Sequence, residues 1–317
     1  MTAQGADVND KVTVHVASLN TRAATELCIR TMRLHADYPF ELIVGDGGST
    51  DGSVEVLEDF ARRGWLTVQH ADHTHAGWLD AWRSQAASRY LVFADSDMDF
   101  RRKGWLRDLV AHARTTGAAL VALDINPLAT NVREPVSGRL IRGMPAPTTW
   151  LFLVDGAQLA DLDESFAFRA VDTDAVPEGC IVYDTGAALL ERIQGSGREA
   201  VAMSASYRAR VKHYGSMTWM PLAGEPGRRK RRNLAVIERR LRAVRTLEST
   251  DHPARRALAR AALEPHLEVG LELCARVRWR AGRALRLYRE RPALVKDFNA
   301  RGERASQEVS SQATEGE

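Results

Sequence analysis

The sequence has few cysteines and no long apolar run. Its three cysteines, Cys28, Cys180 and Cys274, lie far apart, which excludes a disulfide framework and the close ligand spacing of a zinc site. No stretch of about 18 apolar residues is present, so no membrane-spanning helix is predicted. The first twelve residues, MTAQGADVNDKV, lack the apolar core of a signal peptide. We therefore expect a protein of a reducing compartment, with a cytoplasmic location.

Two common phosphate-binding loops are also missing. The sequence contains neither the Gly-Lys-Ser/Thr ending of a Walker loop nor a G-x-G-x-x-G turn. A nucleotide bound by this chain therefore needs another partner for its phosphates. What is present is the composition of a globular protein, with 44% hydrophobic and 27% charged residues in a chain of 317. That length accommodates one large domain or two smaller ones.

Charge is distributed unevenly along the chain. Residues 1–227 carry 22 Lys and Arg against 29 Asp and Glu, a net of −7, and residues 228–317 carry 22 against 12, a net of +10, which together give +3. The split indicates a separate C-terminal element with its own surface or partner. We predict a disordered N-terminus over residues 1–10, a catalytic domain over 11–225, an Arg-rich helical extension over 226–304 and a disordered tail over 305–317.

Apolar strand-like runs alternate with helical patterns through the first half of the chain. Strands are predicted at residues 12–18, 41–45, 66–70, 90–94, 119–124 and 150–154, with helices between the first five of them. This order predicts an α/β fold with a mostly parallel sheet flanked by helices. Residues 126–149 and 166–179, which have no clear period, are predicted to be loops, and a helix is predicted over 184–193.

Three acids follow the fourth predicted strand in the segment YLVFADSDMDF. Asp95, Asp97 and Asp99 are spaced two apart, so on an extended chain they point to one side. Like charges at the end of a buried strand repel one another and are costly to desolvate. Clustered carboxylates without cysteine or histidine suit a hard cation such as Mg²⁺ or Mn²⁺ together with phosphate oxygens. The alternative is that the acids only solvate the exit from the strand.

A glycine- and acid-rich segment, GDGGSTDGS, follows the second predicted strand. Its glycines allow tight turns, and Asp46 and Asp51 can accept hydrogen bonds from a base or a ribose hydroxyl. The alternative is a strand-to-helix turn in which Ser49 or Asp51 caps the next helix. Because ligands bind at the carboxyl ends of parallel strands, this segment and the three acids are expected to share one crevice.

In combination, these motifs resemble the family 2 glycosyltransferases of GT-A fold. The resemblance rests on a first strand ending in Ser18-Leu19-Asn20, then on VGDGGSTDGS and FADSD, and it extends over about residues 11–220. It implies a nucleoside diphosphate-sugar donor, a transferase reaction and a Mn²⁺ or Mg²⁺ cofactor. It also implies an acceptor hydroxyl on a sugar, a lipid-linked molecule or another small molecule.

The resemblance assigns roles to individual residues. Asp46 contacts the nucleoside, Asp97 is the direct metal ligand, Asp95 is a ribose or metal partner, and His213 completes the metal shell or touches the diphosphate. Asp99 lies outside this pattern and is interpreted as a solvated acid. The full set of residues expected around the donor is Ser18, Asn20, Asp46, Gly48, Ser49, Asp51, Gly77, Asp95 and Ser96. His73, His75 and Arg83 are expected beside the nucleotide or its phosphates.

Asp184 is the candidate general base, by its position in YDTGAALLERI. A carboxylate there would take the proton from the acceptor hydroxyl, and the resemblance implies inversion by direct displacement. The alternative is a helix N-cap, a position that Asp fills well. Glu178, in the adjacent loop, is the second candidate for the base. Trp150, Trp219 and Tyr214 are candidates for stacking on the acceptor, with core packing as the alternative.

The Arg-rich C-terminal region leaves several interpretations open. It is a solvated face on the core, a homodimer element, or a surface for peripheral contact with anionic lipid at the inner face of the membrane. No nucleic-acid recognition motif accompanies the charge, so nucleic acid is not expected as a partner. The alternative to a transferase is a nucleotide-binding scaffold or regulatory module, and a nucleotidyltransferase is a third and weaker interpretation.

Overall fold

The computed structural model describes residues 11–85, 87–126, 130–133, 140–173, 179–215, 217 and 228–264. The chain divides into two compact units, residues 1–260 and 261–317. Every element that bears on the site belongs to the first unit. Among the described residues, no helix has the length and apolar character needed to cross a membrane.

The elements follow the alternating order that the sequence predicts. The strands are β1 Val12–Ser18, β2 Glu41–Asp46, β3 Thr67–His70, β4 Tyr90–Asp95, β5 Met98–Phe100, β6 Leu120–Ala122, β7 Ile125–Asn126, β8 Thr130–Arg133, β9 Leu140–Gly143, β10 Ala146–Pro147, β11 Leu151–Asp155, β12 Arg169–Thr173, β13 Gly179–Tyr183, β14 Ala200–Ala202 and β15 Val211–His213. The helices are α1 Arg22–His35, α2 Ser53–Arg62, α3 His75–Ser84, α4 Trp105–Thr116, α5 Gly156–Leu159, α6 Ala187–Gly195, α7 Ala205–Arg208, α8 Arg228–Ser249 and α9 Pro253–Leu263.

The described residues form a central sheet of seven strands in the order β14-β6-β11-β4-β1-β2-β3. Neighbouring strands are parallel, except that β11 is antiparallel to both β4 and β6. Valines and aromatic residues fill the inner strands β1 and β4, as expected for strands covered on both faces. The predicted fold class, a mostly parallel sheet flanked by helices, is confirmed.

Helices cover both faces of this sheet. On one face Val14, Val16 and Val92 pack in a core with α1, α2 and α4. On the other face Leu91 and Phe93 pack with α3 and α6. Strand residues therefore alternate between the two cores, as the period of two in a strand requires. The carboxyl ends of β1, β2 and β4 remain free of this packing and open towards the site.

Two regions that were predicted to be loops contain strands. Residues 126–149 contribute β8, β9 and β10, and residues 166–179 contribute β12. With β13, strands β8, β9 and β12 build a second, four-stranded sheet in the order β12-β13-β9-β8, whereas β10 pairs with β7. The sequence pattern missed them because these strands are short and many of their residues are exposed, which leaves no clear alternation. The predicted helix start at Asp184 is also wrong, since α6 begins at Ala187.

The predicted Arg-rich helix is present as α8, which packs against α1. The side chains of Ile237, Leu241 and Val244 on α8 are buried. The domain boundaries at 225 and 304 stay predictions. The predicted helices beyond residue 264 lie outside the described part of the chain.

Candidate active site

Three adjacent strands bring polar residues to one edge of the sheet. The register places Ser18 of β1 beside Asp46 of β2, and Ala17 of β1 beside Asp95 of β4. A cleft of 390 Å³ opens here. It is lined by Ala17, Ser18, Leu19, Gly47, His73, Thr74, His75, Trp78, Asp95, Ser96, Asp97, Thr149, Asp184, Thr185 and His213. The prediction that the carboxyl ends of the strands share a crevice agrees with this arrangement.

Asp95, Asp97 and His213 meet in this cleft. His213 Nε2 lies 3.0 Å from Asp97 Oδ1 and 3.4 Å from Asp95 Oδ2. One ligand atom from each of the three residues lies within 4.8 Å of the others. Asp95 and Asp97 flank the turn from β4 to β5, and His213 ends β15, which pairs with β5 and sets His213 opposite Met98.

The electrostatics of this group follow from its geometry. Burial alone would raise the pKa of Asp95, but the hydrogen bonds from His213 and His75 outweigh it and lower this pKa to about 2. Burial alone would lower the pKa of His213, but its contacts with Asp95 and Asp97 raise this pKa to about 9. The carboxylates therefore hold a positive charge between them, which is the behaviour expected of a cation site.

His75 is a fourth member of the group that the sequence did not assign to it. Its Nε2 lies 3.1 Å from Asp95 Oδ1. Burial lowers the pKa of His75, but the hydrogen bond to Asp95 reverses this and leaves the pKa raised. The family resemblance places His73 and His75 beside the nucleotide. Both residues line the cleft, and α3 begins at His75, where Thr74 caps the helix by accepting from Gly77 N.

The acids of the GDGGSTDGS loop have local partners. Asp46 is buried, and its Oδ2 accepts from Gly48 N at 3.0 Å and from Ser49 N at 2.9 Å. Its Oδ1 has no hydrogen-bond partner among the described residues, so one acceptor atom remains for a ligand. Asp51 instead accepts from the backbone of Arg22 at 2.9 Å and from Ser53 at 2.5 Å. The N-cap of α2 is Gly52, so the alternative in which Ser49 or Asp51 caps this helix is wrong. Asp51 instead orders the turn before the helix through these contacts.

The other residues predicted around the donor divide into two groups. Ser18 and Ser96 line the cleft, and their hydroxyls also bond to Thr25 at 3.0 Å and to Thr21 at 2.9 Å. Asn20 does not line it: its side chain accepts from Thr50 N at 2.8 Å and its own N–H donates to Ser49 Oγ at 2.9 Å. The remaining predicted residues outside the cleft lining are Asp46, Gly48, Ser49, Asp51 and Gly77.

Asp184 stands at the cleft without acting as the helix cap. The N-cap of α6 is Gly186, whose positive φ of 80° is a conformation that favours glycine. Asp184 lies before it, is exposed, and accepts only from Thr185 N among the hydrogen bonds of its side chain, at 2.8 Å. The N-cap alternative for Asp184 is therefore wrong. Glu178, the second candidate for the base, lies outside the described residues.

The expectations for five other residues need correction or qualification. Asp99 is fully buried, so its interpretation as a solvated acid is wrong. Tyr214 is buried and donates to Asp99 rather than facing an acceptor. Arg83 donates to the carbonyls of Leu162 and Glu164, away from the cleft. Trp150 stacks on the His213 ring at a centroid distance of 4.5 Å, and Trp219 lies outside the described residues.

The three candidate metal ligands suit a divalent cation that accepts both oxygen and nitrogen ligands. Asp95 and Asp97 offer carboxylate oxygens and His213 offers an imidazole nitrogen, a combination that binds Mn²⁺ and other first-row ions. All three residues line the cleft, where phosphate oxygens of a bound ligand would complete the coordination of the cation. The residues therefore fit the predicted metal.

Comparison with known protein families agrees with this site. Residues 13–166 match the model described as glycosyl transferase family 2, a span that includes Ser18, Asp46, His75 and Asp97. This part of the chain is similar to glycosyl transferase family 2. The prediction of a family 2-like glycosyltransferase, and with it a transferase class of enzyme, is confirmed at the level of the family. His213, Asp184 and α8 lie beyond the matched span.

Solved structures of glycosyltransferases are similar to this chain at low identity. S. aureus TarS 1–349 shares 18% identity over 55% of this chain, with a TM-score of 0.37, and this chain covers 60% of TarS 1–349. The Pyrobaculum calidifontis mannosyltransferase PcManGT, in complex with GDP-Man and Mn²⁺, shares 16% identity over 80% of this chain and 79% of its own, with a TM-score of 0.39.

A third structure is that of Mycobacterium tuberculosis glucosyl-3-phosphoglycerate synthase with Mn²⁺, UDP and glucosyl-3-phosphoglycerate. It shares 18% identity over 75% of this chain and 79% of its own, with a TM-score of 0.40. The ligands named here were bound to those proteins. No curated protein matches the sequence of this chain.

Proposed function

We propose that this chain transfers a sugar from a nucleoside diphosphate-sugar to an acceptor hydroxyl with the help of a divalent cation. The observation that carries the proposal is the meeting of Asp95, Asp97 and His213 in one cleft at the carboxyl ends of β1 and β4. A family 2 domain supports the transferase class. The identity of the sugar, of the base and of the acceptor is not part of the proposal.

Different residues in and beside the cleft would bind different parts of the donor. Asp46 lies outside the cleft lining but beside Ser18, and its buried Oδ1 has no hydrogen-bond partner among the described residues, so we assign it to the nucleoside. Asp95, Asp97 and His213 would hold the cation, with His75 orienting Asp95 from the side. When bound, Mn²⁺ or Mg²⁺ offsets the charge that develops on the departing diphosphate. Trp78 lines the same cleft and gives it one apolar, aromatic side.

Asp184 lies where the donor cleft meets a second one. The second cleft has a volume of 520 Å³ and shares Thr149 and Asp184 with the first. Its other lining residues are Asp124, Ile125, Asn126, Ala146, Pro147, Thr148 and Trp150. A carboxylate at this junction would meet an acceptor that enters from the second cleft. We therefore assign the acceptor to the second cleft and the role of general base to Asp184.

The proposed reaction is a single displacement with inversion. The acceptor oxygen forms a bond to the anomeric carbon while the bond from that carbon to the diphosphate oxygen breaks. The acceptor proton passes to the Asp184 carboxylate, and the diphosphate leaves with the electron pair of the broken bond. A positioned carboxylate of this kind contributes about 10²–10⁴-fold in rate.

The test of the base uses Asp184→Asn, which keeps the shape of the side chain and removes its charge. We expect donor binding to be unchanged and transfer to fall by about 10²–10⁴-fold. A thermal-shift screen of nucleoside diphosphates with Mn²⁺ first identifies the nucleobase of the donor. Calorimetry then measures the affinity of the protein for that nucleoside diphosphate. Loss of both donor binding and transfer would contradict the role of Asp184 as general base. The control is Asp161→Asn, because Asp161 is an exposed acid outside both clefts.

The test of the cation site uses Asp97→Asn. This variant is expected to lose most of the Mn²⁺-dependent affinity for the nucleoside diphosphate, because one of three ligands is gone. Asp59→Asn is the matched control, since Asp59 is an acid on α2 that pairs with Arg62 and Arg63. Equal Mn²⁺-dependent affinity in both variants would refute the cation site. Nucleotide binding with no transfer to any acceptor would instead favour the scaffold alternative.

A further inference from the structure

Asp99 is the acid of the FADSDMDF segment that the proposed function leaves unused. It is fully buried and does not line the cleft. Its carboxylate accepts from the Tyr214 hydroxyl at 3.1 Å and from Arg101 Nε at 3.2 Å. A third partner, Arg240, comes from α8. A buried carboxylate with this many donors is fixed in place, so it can act as an anchor for the segments around it.

Arg240 approaches Asp99 with two nitrogens. Its Nη2 donates to Asp99 Oδ1 at 2.9 Å, and its Nε lies 2.5 Å from Oδ2. Arg240 is 1% exposed, which makes it one of the largest fully buried side chains in the described part of the chain. An isolated charge at this depth is strongly disfavoured, so each member of the pair holds the other in position. The fork of the guanidinium also fixes the orientation of the carboxylate.

The anchored carboxylate is close in sequence to the cation ligands. Asp99 is on β5, two residues after Asp97, and β5 pairs with β15, which ends at His213. Tyr214 follows His213 directly, and its N–H donates to the Asp97 carbonyl at 3.2 Å. Because the Tyr214 hydroxyl bonds to Asp99, the two segments that carry Asp97 and His213 are joined through both backbone and side chains.

A second residue of α8 acts on the same segments. Asn233 lies seven residues before Arg240, on the same face of the helix after two turns. It is buried, and its Nδ2 donates to the Tyr214 carbonyl at 2.8 Å. Helix α8 therefore contacts Tyr214 directly through Asn233 and indirectly through Arg240 and Asp99. The helix lies outside the span that matches the family model.

We infer that α8 is a supporting element of the cation site, and that Arg240 is a positioning residue for Asp97 and His213. The inference rests on the proposed function for the identity of the site. The path runs from Arg240 through Asp99 and Tyr214 to the ends of β5 and β15. Partners in the outer shell of a metal site commonly change its affinity by about 10–100-fold when they are removed.

The test compares Arg240→Met with a matched control on the same helix. Arg245 of α8 also bridges to α1, where its Nε donates to buried Glu26 at 2.8 Å, but it does not reach β5 or β15. Arg245→Met thus removes an ion pair between α8 and α1 without touching the path to His213. Mn²⁺ affinity is measured by calorimetry on the protein without nucleotide. The histidine side-chain NMR signals of His213 are measured without any metal, after assignment with His213→Gln.

Arg240→Met should weaken Mn²⁺ binding by about 10–100-fold and shift the His213 signals, whereas Arg245→Met should do neither. Arg240→Lys, which keeps the charge but not the fork, should restore part of the affinity. If Arg240→Met does not fold, the double variant Asp99→Leu with Arg240→Leu replaces it. That variant removes both buried charges and should fold, yet it leaves the Tyr214 hydroxyl without its acceptor.

Two results would overturn the inference. One is an unchanged His213 spectrum in a folded Arg240→Met or double Leu variant, and the other is an equal change in Arg245→Met. Failure of the proposed function has a different signature. If the parent protein binds no Mn²⁺ while the His213 signals still move on Arg240→Met, α8 supports this group of residues and the cation proposal is at fault.

Discussion

Asp95 and Asp97 are two residues apart and have different surroundings. The Asp95 side chain is 29% exposed and lies between two histidines, His75 and His213. The Asp97 side chain is 8% exposed and contacts His213 alone among these residues. Asp95 is thus held from both sides and Asp97 from one. Neutralising either acid would remove a different set of contacts, which is why Asp97 gives the cleaner test of the cation site.

His15, on the buried strand β1, should make stability depend on pH. Its ring stacks on Trp82 and Phe93 at centroid distances of 4.9 and 5.5 Å. Burial lowers the pKa of His15 from 6.5 to about 3, and within the described chain neither ring nitrogen has a hydrogen-bond partner. Between those two values the unfolded chain binds a proton that the folded chain does not. The free energy of unfolding should therefore fall by about 1.4 kcal/mol per pH unit below about pH 6.5.

The variant His15→Phe tests this at the same site. Phenylalanine keeps the aromatic stacking and cannot take up a proton. Position 15 should therefore no longer contribute to the change of the free energy of unfolding with pH. Urea denaturation at about pH 7 and about pH 5 should show the parent losing about 2 kcal/mol more than the variant. His70→Phe is the control, because His70 is exposed and pairs with Glu58 at the surface. Equal losses in the parent and His15→Phe would exclude His15 as the cause.

At the scale of elements, α3 and β2 pack unusually close at Gly45. A Cβ on Gly45 would lie 2.7 Å from a ring atom of Trp78 and 2.7 Å from one of Trp82, both on α3. Trp78 also lines the donor cleft. The absence of a side chain at Gly45 therefore lets the first turns of α3, with His75 and Trp78, approach the site.

Gly45→Ala should disturb both stability and donor binding. The added methyl group overpacks this interface, which costs about 1–3 kcal/mol, and displaces Trp78. We expect a lower free energy of unfolding in urea and a higher KM for the donor. Gly195→Ala is the control, since no atom lies within 4 Å of a Cβ there. An unchanged KM in a folded Gly45→Ala protein would mean that Trp78 does not set the shape of the cleft.

On the scale of the whole molecule, charge separates the two parts of the chain. Residues 228–317 carry 22 basic against 12 acidic residues, and residues 1–227 carry 22 against 29. The arginines Arg232, Arg239 and Arg242 are exposed on α8. Basic surfaces of this kind attract anionic lipid at a contribution of about 1 kcal/mol per residue near the membrane.

Vesicle flotation tests the predicted membrane contact. The protein should float with phosphatidylserine-containing vesicles and not with phosphatidylcholine alone, and added salt should weaken the binding. Replacing Arg232, Arg239 and Arg242 by glutamate should reduce flotation, whereas Arg62→Glu on α2 should have little effect. Protein that stays in the dense fraction with both kinds of vesicle would exclude membrane contact. Sedimentation of the same samples tests the predicted homodimer.

From the sequence alone we could predict the layered α/β fold and the position of Asp95 and Asp97 at the carboxyl end of a buried strand. Apolar runs, turn residues and the order of strands and helices are local or repeat along the chain, so they can be read without tertiary contacts. The strands of the second sheet were missed because short, exposed strands have no such pattern. The resemblance to family 2 then pointed to Asp184 and His213, which lie beyond the span of the family match.

Which of the acids line the cleft could be seen only in the tertiary structure. Along the sequence Asp97 and Asp99 look alike, yet one lines the cleft and the other is buried against Arg240. The difference arises because β5 pairs with β15 and is covered by α8, contacts between residues far apart in the chain. Burial and ion pairing depend on such packing and not on neighbours in sequence. For the same reason, the alternative role of Asp184 as a helix cap was excluded only by the tertiary structure, in which α6 begins at Ala187 with Gly186 as its N-cap.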